Sequence, residues 1–319
     1  MATRIIKVET DPRSIPACHG GTLLPSLRPF GVAMLLALLP GGARIHAQEA
    51  IAQGRFTFRA YGTEQGLGNQ AVQCLAQDKT GFLWVGTEDG LYRYDGRRFQ
   101  SYGTGEGLPS SYVTALKEDG KGHLWVATFQ GLAEEVSGRF VAMGAAQGLP
   151  EGPVQGLDAD GTGRMWVAFA QGPYMQREDG GFAPVPGWAG GQLTAIASPG
   201  DSVWTASLDD GVARIRSRES GRWRNWEGGF GADRSDAIVQ DAKGEVWARD
   251  AHHLWVLRHG QARFEDAAPG VLPPTRAKAL LRADPGGGLL VPTDRGLWTL
   301  QDGRWSSLQA ANGLPTPYV

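Results

Sequence analysis

Asp78-Lys79-Thr80-Gly81-Phe82-Leu83-Trp84-Val85-Gly86-Thr87 is an apolar run entered by a tight turn and left through a second turn, Glu88-Asp89-Gly90. It returns as Asp119-Gly120-Lys121-Gly122-His123-Leu124-Trp125-Val126-Ala127-Thr128, and again as Asp160-Gly161-Thr162-Gly163-Arg164-Met165-Trp166-Val167-Ala168. Weaker copies centre on Trp204, on Trp247 and, with leucine in the tryptophan slot, on Leu290. The steps between centres are 41, 41, 38, 43 and 43 residues. A period near 40 means that each unit is one supersecondary element burying its faces against its neighbours, so most of the 319 residues form an array.

Each unit carries four apolar segments separated by turn signals. In the first, strand A is expected from Ala71 to Gln77, B from Phe82 to Thr87, C from Leu91 to Tyr94 and D from Arg98 to Tyr102. Four strands of about 5 residues with hairpin loops of 2 to 5 fill about 40 residues, and helices do not fit. Strand B is apolar on both alternating sides, Trp84 on one and Leu83 with Val85 on the other, as a strand covered on both faces must be. The predicted fold is all-β, a β-propeller of four-stranded antiparallel blades. The tryptophans of the repeat read as core wedges rather than a ligand cage.

The phase of the array adds a seventh blade. Arg55-Phe56-Thr57-Phe58-Arg59-Ala60-Tyr61 matches Arg98-Phe99-Gln100-Ser101-Tyr102, so the array opens on a lone strand D. Asn312-Gly313-Leu314-Pro315 matches Glu106-Gly107-Leu108-Pro109, the entrance to a strand A. Six complete blades plus parts of a seventh are expected over residues 55–319, with sequence beyond Val319 completing the ring and hiding its edges.

Ahead of the array, Arg4, Lys7, Arg13 and Arg28 precede an apolar run from Phe30 to Leu39, and Ala43-Arg44-Ile45-His46-Ala47 ends on a small residue. This predicts a secretory signal peptide over 1–47 and a short linker over 48–54. The apolar run is too short to span a bilayer, which takes about 20 residues. Export would remove Cys18 and leave Cys74 alone; the matching positions hold Ala115, Gly156 and Ala237, so Cys74 reads as a small residue on a buried strand. A net charge of −2 without a basic stripe speaks against nucleic acid. Asp78, Asp119, Asp160, Asp241 and Asp284 open the A-to-B turns; each turn has a single carboxylate, which suits an Asx turn and not a calcium loop. No metal, cofactor or catalytic residue is expected.

Gly-Leu-Pro-x-x-x-Val at 107–113, Asp-x-x-Gly-x-Leu-Trp-Val-Gly-Thr at 78–87 and Gly-Leu-Tyr-Arg-Tyr-Asp at 90–95 resemble the two-component regulator propeller repeat. The resemblance covers roughly 54–319 and fades after the third unit, where His252-His253 replace the acidic-Gly turn and Leu290 replaces tryptophan. It implies a periplasmic sensory propeller leading, in further sequence, to a membrane span and a histidine kinase or diguanylate cyclase output. Dimerisation is left open.

Propeller geometry puts the D-to-A and B-to-C connections on one face, where loops vary while strands repeat. The ligand-binding candidates are Asn69, Gln70, Glu88, Asp89, Ser111, Tyr112, Phe129, Gln130, Asp210 and Arg295. Their amide, hydroxyl, aromatic and acidic groups suit a small molecule or oligosaccharide. An exported lyase or hydrolase is the alternative, and it requires a His/Asp/Glu cluster on that face; a protein-interaction scaffold is the third reading.

Overall fold

The computed structural model describes residues 5–9, 57–275, 281–283 and 288–308. Six four-stranded antiparallel sheets follow one another along the chain, each in sequence order from inner strand A to outer strand D. In the first blade A is Val72–Gln77, B Leu83–Thr87, C Gly90–Tyr94 and D Phe99–Tyr102, within a residue of the expected bounds. The A strands of the later blades, Val113–Glu118, Val154–Ala159, Gln192–Ala197, Ala237–Gln240 and Arg282–Ala283, lie side by side in turn, giving the blades a common inner wall. A seventh, two-stranded sheet pairs Thr57–Tyr61, the lone strand D of the sequence pattern, with Ile5–Glu9. Most of the leader, Asp284 and residues 309–319 lie outside the described residues.

The core is partitioned by interface. Trp84, Leu91 and Tyr102 of the first blade meet Leu124, Val126 and Phe140 of the second in one buried cluster. Trp125 with Leu132 meets Met165, Val167, Phe169 and Phe182 across the next gap, and Trp166, Trp204 and Trp247 repeat the arrangement at the following three. On the opposite side of the first blade, Val85, Tyr92 and Phe99 pack on Tyr61 and Leu67, which places the lone strand D where a preceding blade belongs. The two-sided apolar character of strand B therefore arises because each side faces a different neighbour.

The strand-A leucine at the register of Leu75 reports the edge of this stack. Leu157 and Ile196 are 8% exposed, covered by the blade before them, whereas Leu75 is 48% exposed. Among the described residues, no strand A lies on that side of the first blade.

The turns are built by the recurring pattern of the unit itself. Oδ1 of Asp78 accepts the N–H groups of Thr80 and Phe82, both at 3.0 Å, an Asx turn that leaves Oδ2 to accept the Trp84 indole at 2.7 Å. Asp119 and Trp125, Asp160 and Trp166, and Asp241 and Trp247 repeat this six-residue link at 3.0–3.1 Å. Burial pushes the carboxyl of Asp78 up, but the bonds from the Thr80 hydroxyl, the Trp84 indole and the two N–H groups outweigh it and hold the pKa below the usual value. The aspartate thus closes the hairpin and supplies the acceptor that lets a tryptophan be buried whole.

The fourth unit tests this rule. Ser198 stands six residues before Trp204, and both its hydroxyl and the Trp204 indole N–H are buried without partners among the described residues. Ser198→Asn restores an acceptor without placing a carboxylate beside Asp158, which already accepts the Ser198 N–H at 2.7 Å. It is expected to stabilise the chain by about 1 kcal/mol, read as a higher urea midpoint; an unchanged or lower midpoint would show that the aspartate serves only the turn.

The D-to-A links use a Gly-x-x-x-Gly-Leu device. Thr63–Gln65, Thr104–Glu106 and Ala145–Gln147 each make one 3-10 turn, ended by a glycine with positive φ, and deliver a buried Leu67, Leu108 or Leu149. Gly107 has φ of 101°, and a Cβ on it would lie 2.0 Å from the Phe140 carbonyl oxygen. Only glycine fits there.

Candidate functional site

Hydrogen bonds define the two faces. Gly90 N–H donates to the Ser111 carbonyl and Phe129 N–H to that of Tyr112, joining B-to-C turns to D-to-A links on one face. Lys79 N–H donates to Glu118 and Gly161 N–H to the Gly200 carbonyl, joining A-to-B turns on the other.

On the loop face, the first and second blades gather most of the sequence candidates. The Phe129 ring is 54% exposed and lies 5.9 Å from the Tyr112 ring. Burial and the adjoining Glu88 carboxylate, which hydrogen-bonds the Tyr112 hydroxyl, raise that phenol above its ordinary pKa. Gln73 donates its amide to Glu88 at 3.1 Å. Asp89, Gln130 and Arg295 occupy one equivalent turn position in three blades, each donating its N–H to the preceding threonine, Thr87, Thr128 or Thr293. Asn69 spends its side-chain oxygen on the Ala71 N–H in an Asx turn, and Gln70 is half-buried beside it. Asp210 is exposed in a left-handed turn, φ 47°.

The residue beside Asp210 carries the chemistry of that blade. Asp209 makes an ion pair with Arg216 and accepts bonds from the Ser207 hydroxyl and the Gly191 N–H at 2.7 Å. Burial pushes its carboxyl up, and Arg216, Ser207 and Gly191 more than reverse it, so the pKa is lowered. The Arg216 guanidinium also lies over the Trp188 ring, 5.3 Å from its centre.

The fifth blade departs furthest from the repeat. Two and three residues after the strand-B tryptophan, the units read Gly86-Thr87, Ala127-Thr128, Ala168-Phe169, Ala206-Ser207, Arg249-Asp250 and Pro292-Thr293. Arg249 and Asp250 are each 2% exposed, a charged pair in a slot made for a methyl and a hydroxyl. Arg249 donates to the Pro292 carbonyl in the sixth blade at 2.5 Å. Burial pulls its pKa down to about 10, opposed by Asp250, Asp294 and Asp236, so it stays charged at neutral pH. Asp250 takes over the threonine's role, accepting the N–H groups of His252 and His253, and also accepts the Trp255 indole at 2.9 Å. His252 Nδ1 lies 2.6 Å from Asp233, contributed by the preceding D-to-A link.

Reading unit by unit for similarity passes over Arg249, Asp250 and Arg216; their signal is a broken register. His123 sits on the turn face, as its register requires, with Nδ1 2.9 Å from Glu134, whose carboxyl burial pushes above its usual pKa.

Residues 66–89 and 107–130 match the family model described as two component regulator propeller. Two of its repeats, those of the first and second blades, thus match the two-component regulator propeller repeat. The matched spans run from the Gly-Leu of a D-to-A link through strands A and B to the loop-face turn, the unit that the first two blades repeat most closely. A histidine kinase of Formosa agariphila is 46% identical over 44 residues, 14% of this chain and 3% of that protein. The extracellular domain of a hybrid two-component system from B. thetaiotaomicron superposes with a TM-score of 0.66 at 19% identity, over 82% of this chain and 38% of that one. Virginiamycin B lyase from Staphylococcus aureus superposes with a TM-score of 0.60 at 13% identity, over 75% of this chain and 85% of that one. The structural likenesses establish the propeller fold of this repeat chain, which spans about two fifths of the two-component domain it resembles and a small part of the kinase.

Proposed function

We propose that this repeat propeller is the exported sensory module of a signal-transduction receptor, that it takes a small polar ligand of the oligosaccharide class on its loop face, and that output domains carry the response. The observation that carries the reading is the exposed Phe129 and Tyr112 pair beside Glu88 and Gln73. An aromatic face flanked by acceptors and an amide is what a sugar ring, apolar on its C–H face and rimmed by hydroxyls, requires. Repeat membership and a leader of secretory pattern support the placement outside the cytoplasm.

A thermal-shift screen of soluble oligosaccharides against the chain and a Tyr112→Ala/Phe129→Ala variant tests it. Oligosaccharides that raise the melting temperature of the parent are expected to leave the variant unmoved, while the unliganded variant melts within a few degrees of the parent because Phe129 is largely exposed. Shifts equal in both proteins, or none across the panel, would count against the reading. The exported-enzyme alternative is supported by the His252–Asp233 contact on the same face; it requires turnover that His252→Ala abolishes.

A further inference from the structure

The fifth blade gathers donors that the repeat does not call for. We propose that Asp233, Asp250 and His252 form a binding site for a divalent transition metal of the zinc class, separate from the aromatic corner and independent of which ligand that corner takes. One ligand atom from each of the three residues lies within 4.8 Å of the other two. An imidazole nitrogen with two carboxylate oxygens is a donor set that Zn2+ accepts at about 2.0–2.2 Å, leaving a fourth position for water or a ligand.

The parts differ in mobility in a way that suits assembly. Asp250 is the fixed member, its side chain 3% exposed and held by the His252 and His253 N–H groups and by the Trp255 indole. Oδ2 accepts the indole on one lone pair, and on the other it faces His253 Nδ1 at 3.3 Å, a long contact from a 44% exposed side chain that a cation would displace. Hydrogen bonds of this kind orient metal-bound carboxylates elsewhere. Asp233 and His252 are 44% and 56% exposed at the side chain, so both can spread from their present 2.6 Å contact to straddle an ion. That contact is already the pairing of an imidazole nitrogen with a carboxylate that a shared cation would replace.

Charge favours the same occupant. Arg249 is flanked by Asp250, Asp294 and Asp236, Arg234 lies 2.6 Å from Asp236, and Asp233 adds a further carboxylate. Four carboxylates thus face two guanidiniums, and the excess is the charge of one divalent ion. The Ser235 hydroxyl, in the link that supplies Asp233, is 1% exposed and has no hydrogen-bond partner among the described residues. In the other described blades the position of Asp250 is held by threonine, serine or phenylalanine, so the site is confined to one blade.

The test is calorimetric titration of Zn2+ into the chelator-treated chain at pH 7.5, alongside Asp233→Asn and His252→Ala. Both substitutions fall on half-exposed side chains that leave Asp250 and its bonds to Trp255 in place. Expected is one equivalent bound, weakened about tenfold or more in each variant and unchanged in a His123→Ala/His259→Ala control. Absence of binding, or binding that neither variant weakens, overturns the proposal; loss of binding in the control instead would assign the ion to His123 or His259 and overturn it equally.

Discussion

Trp125→Ala is expected to bring the chain close to unfolding. The side chain is 1% exposed, wedged between the second and third blades against Met165, Val167 and Phe169, and stands edge-on to Phe182 at 5.8 Å. Truncating a buried tryptophan costs about 3–5 kcal/mol. It also strips Asp119 of the indole donor at 3.1 Å, leaving a buried oxygen short of a partner at a cost of about 1 kcal/mol more. Domains have only about 5–15 kcal/mol to lose, so the urea midpoint should collapse. Trp125→Phe separates the two contributions, because it keeps most of the ring and loses the bond. The same exchange at Trp204, whose indole has no acceptor among the described residues, should cost about 1 kcal/mol less. Equal losses at the two sites would mean that the Asp–Trp link does not stabilise the fold.

Replacing Arg249 by methionine is the second large effect. Methionine fits the stem of the arginine but removes the buried guanidinium that faces Asp250, Asp294 and Asp236. Breaking a buried charge set from one side costs about 3–5 kcal/mol, most of it from the charges left behind. Asp294→Asn in the methionine background should therefore recover part of the loss, whereas in the parent it should destabilise. A loss below about 1 kcal/mol, or no rescue, would show that water already screens these carboxylates.

The sequence made the blades readable because packing recurs. Each Trp–Val–small–Thr run must satisfy the same two neighbours, so six copies vote on one structure and the strands of the first blade are placed almost to the residue. What recurrence hides is also physical. The Asp-to-Trp bond spans six residues across a hairpin and looks, in sequence, like two separate features of a turn and a core. The candidate loop residues fall on the face expected of them, and Glu88, Tyr112 and Phe129 come together there because neighbouring blades bring a B-to-C turn, a D-to-A link and the next B-to-C turn to one corner. Asp209 and Asp210 share a loop-face turn, and of the two it is Asp209 that holds Arg216, a partner on the adjoining strand C that the repeat does not announce. Arg249 and Asp250 went unread because a repeat is recognised by what its units share, and these residues are where one unit stops sharing. His252-His253 read as a turn insertion, since nothing local indicates that Asp233, from the preceding link, folds back beside it.

These departures from the repeat lie on the loop face, while the turn face keeps the aspartate–tryptophan link in the first, second, third and fifth blades. Recognition on the loop face is the central claim, and deuterium exchange measured with and without a saturating oligosaccharide from the thermal-shift panel tests it most directly. Protection is expected in the peptides that carry 69–73, 88–90, 110–113 and 129–131, with 78–82, 119–123 and 160–164 unchanged. Protection centred on those A-to-B turns, with the loop-face peptides unaltered, would contradict it.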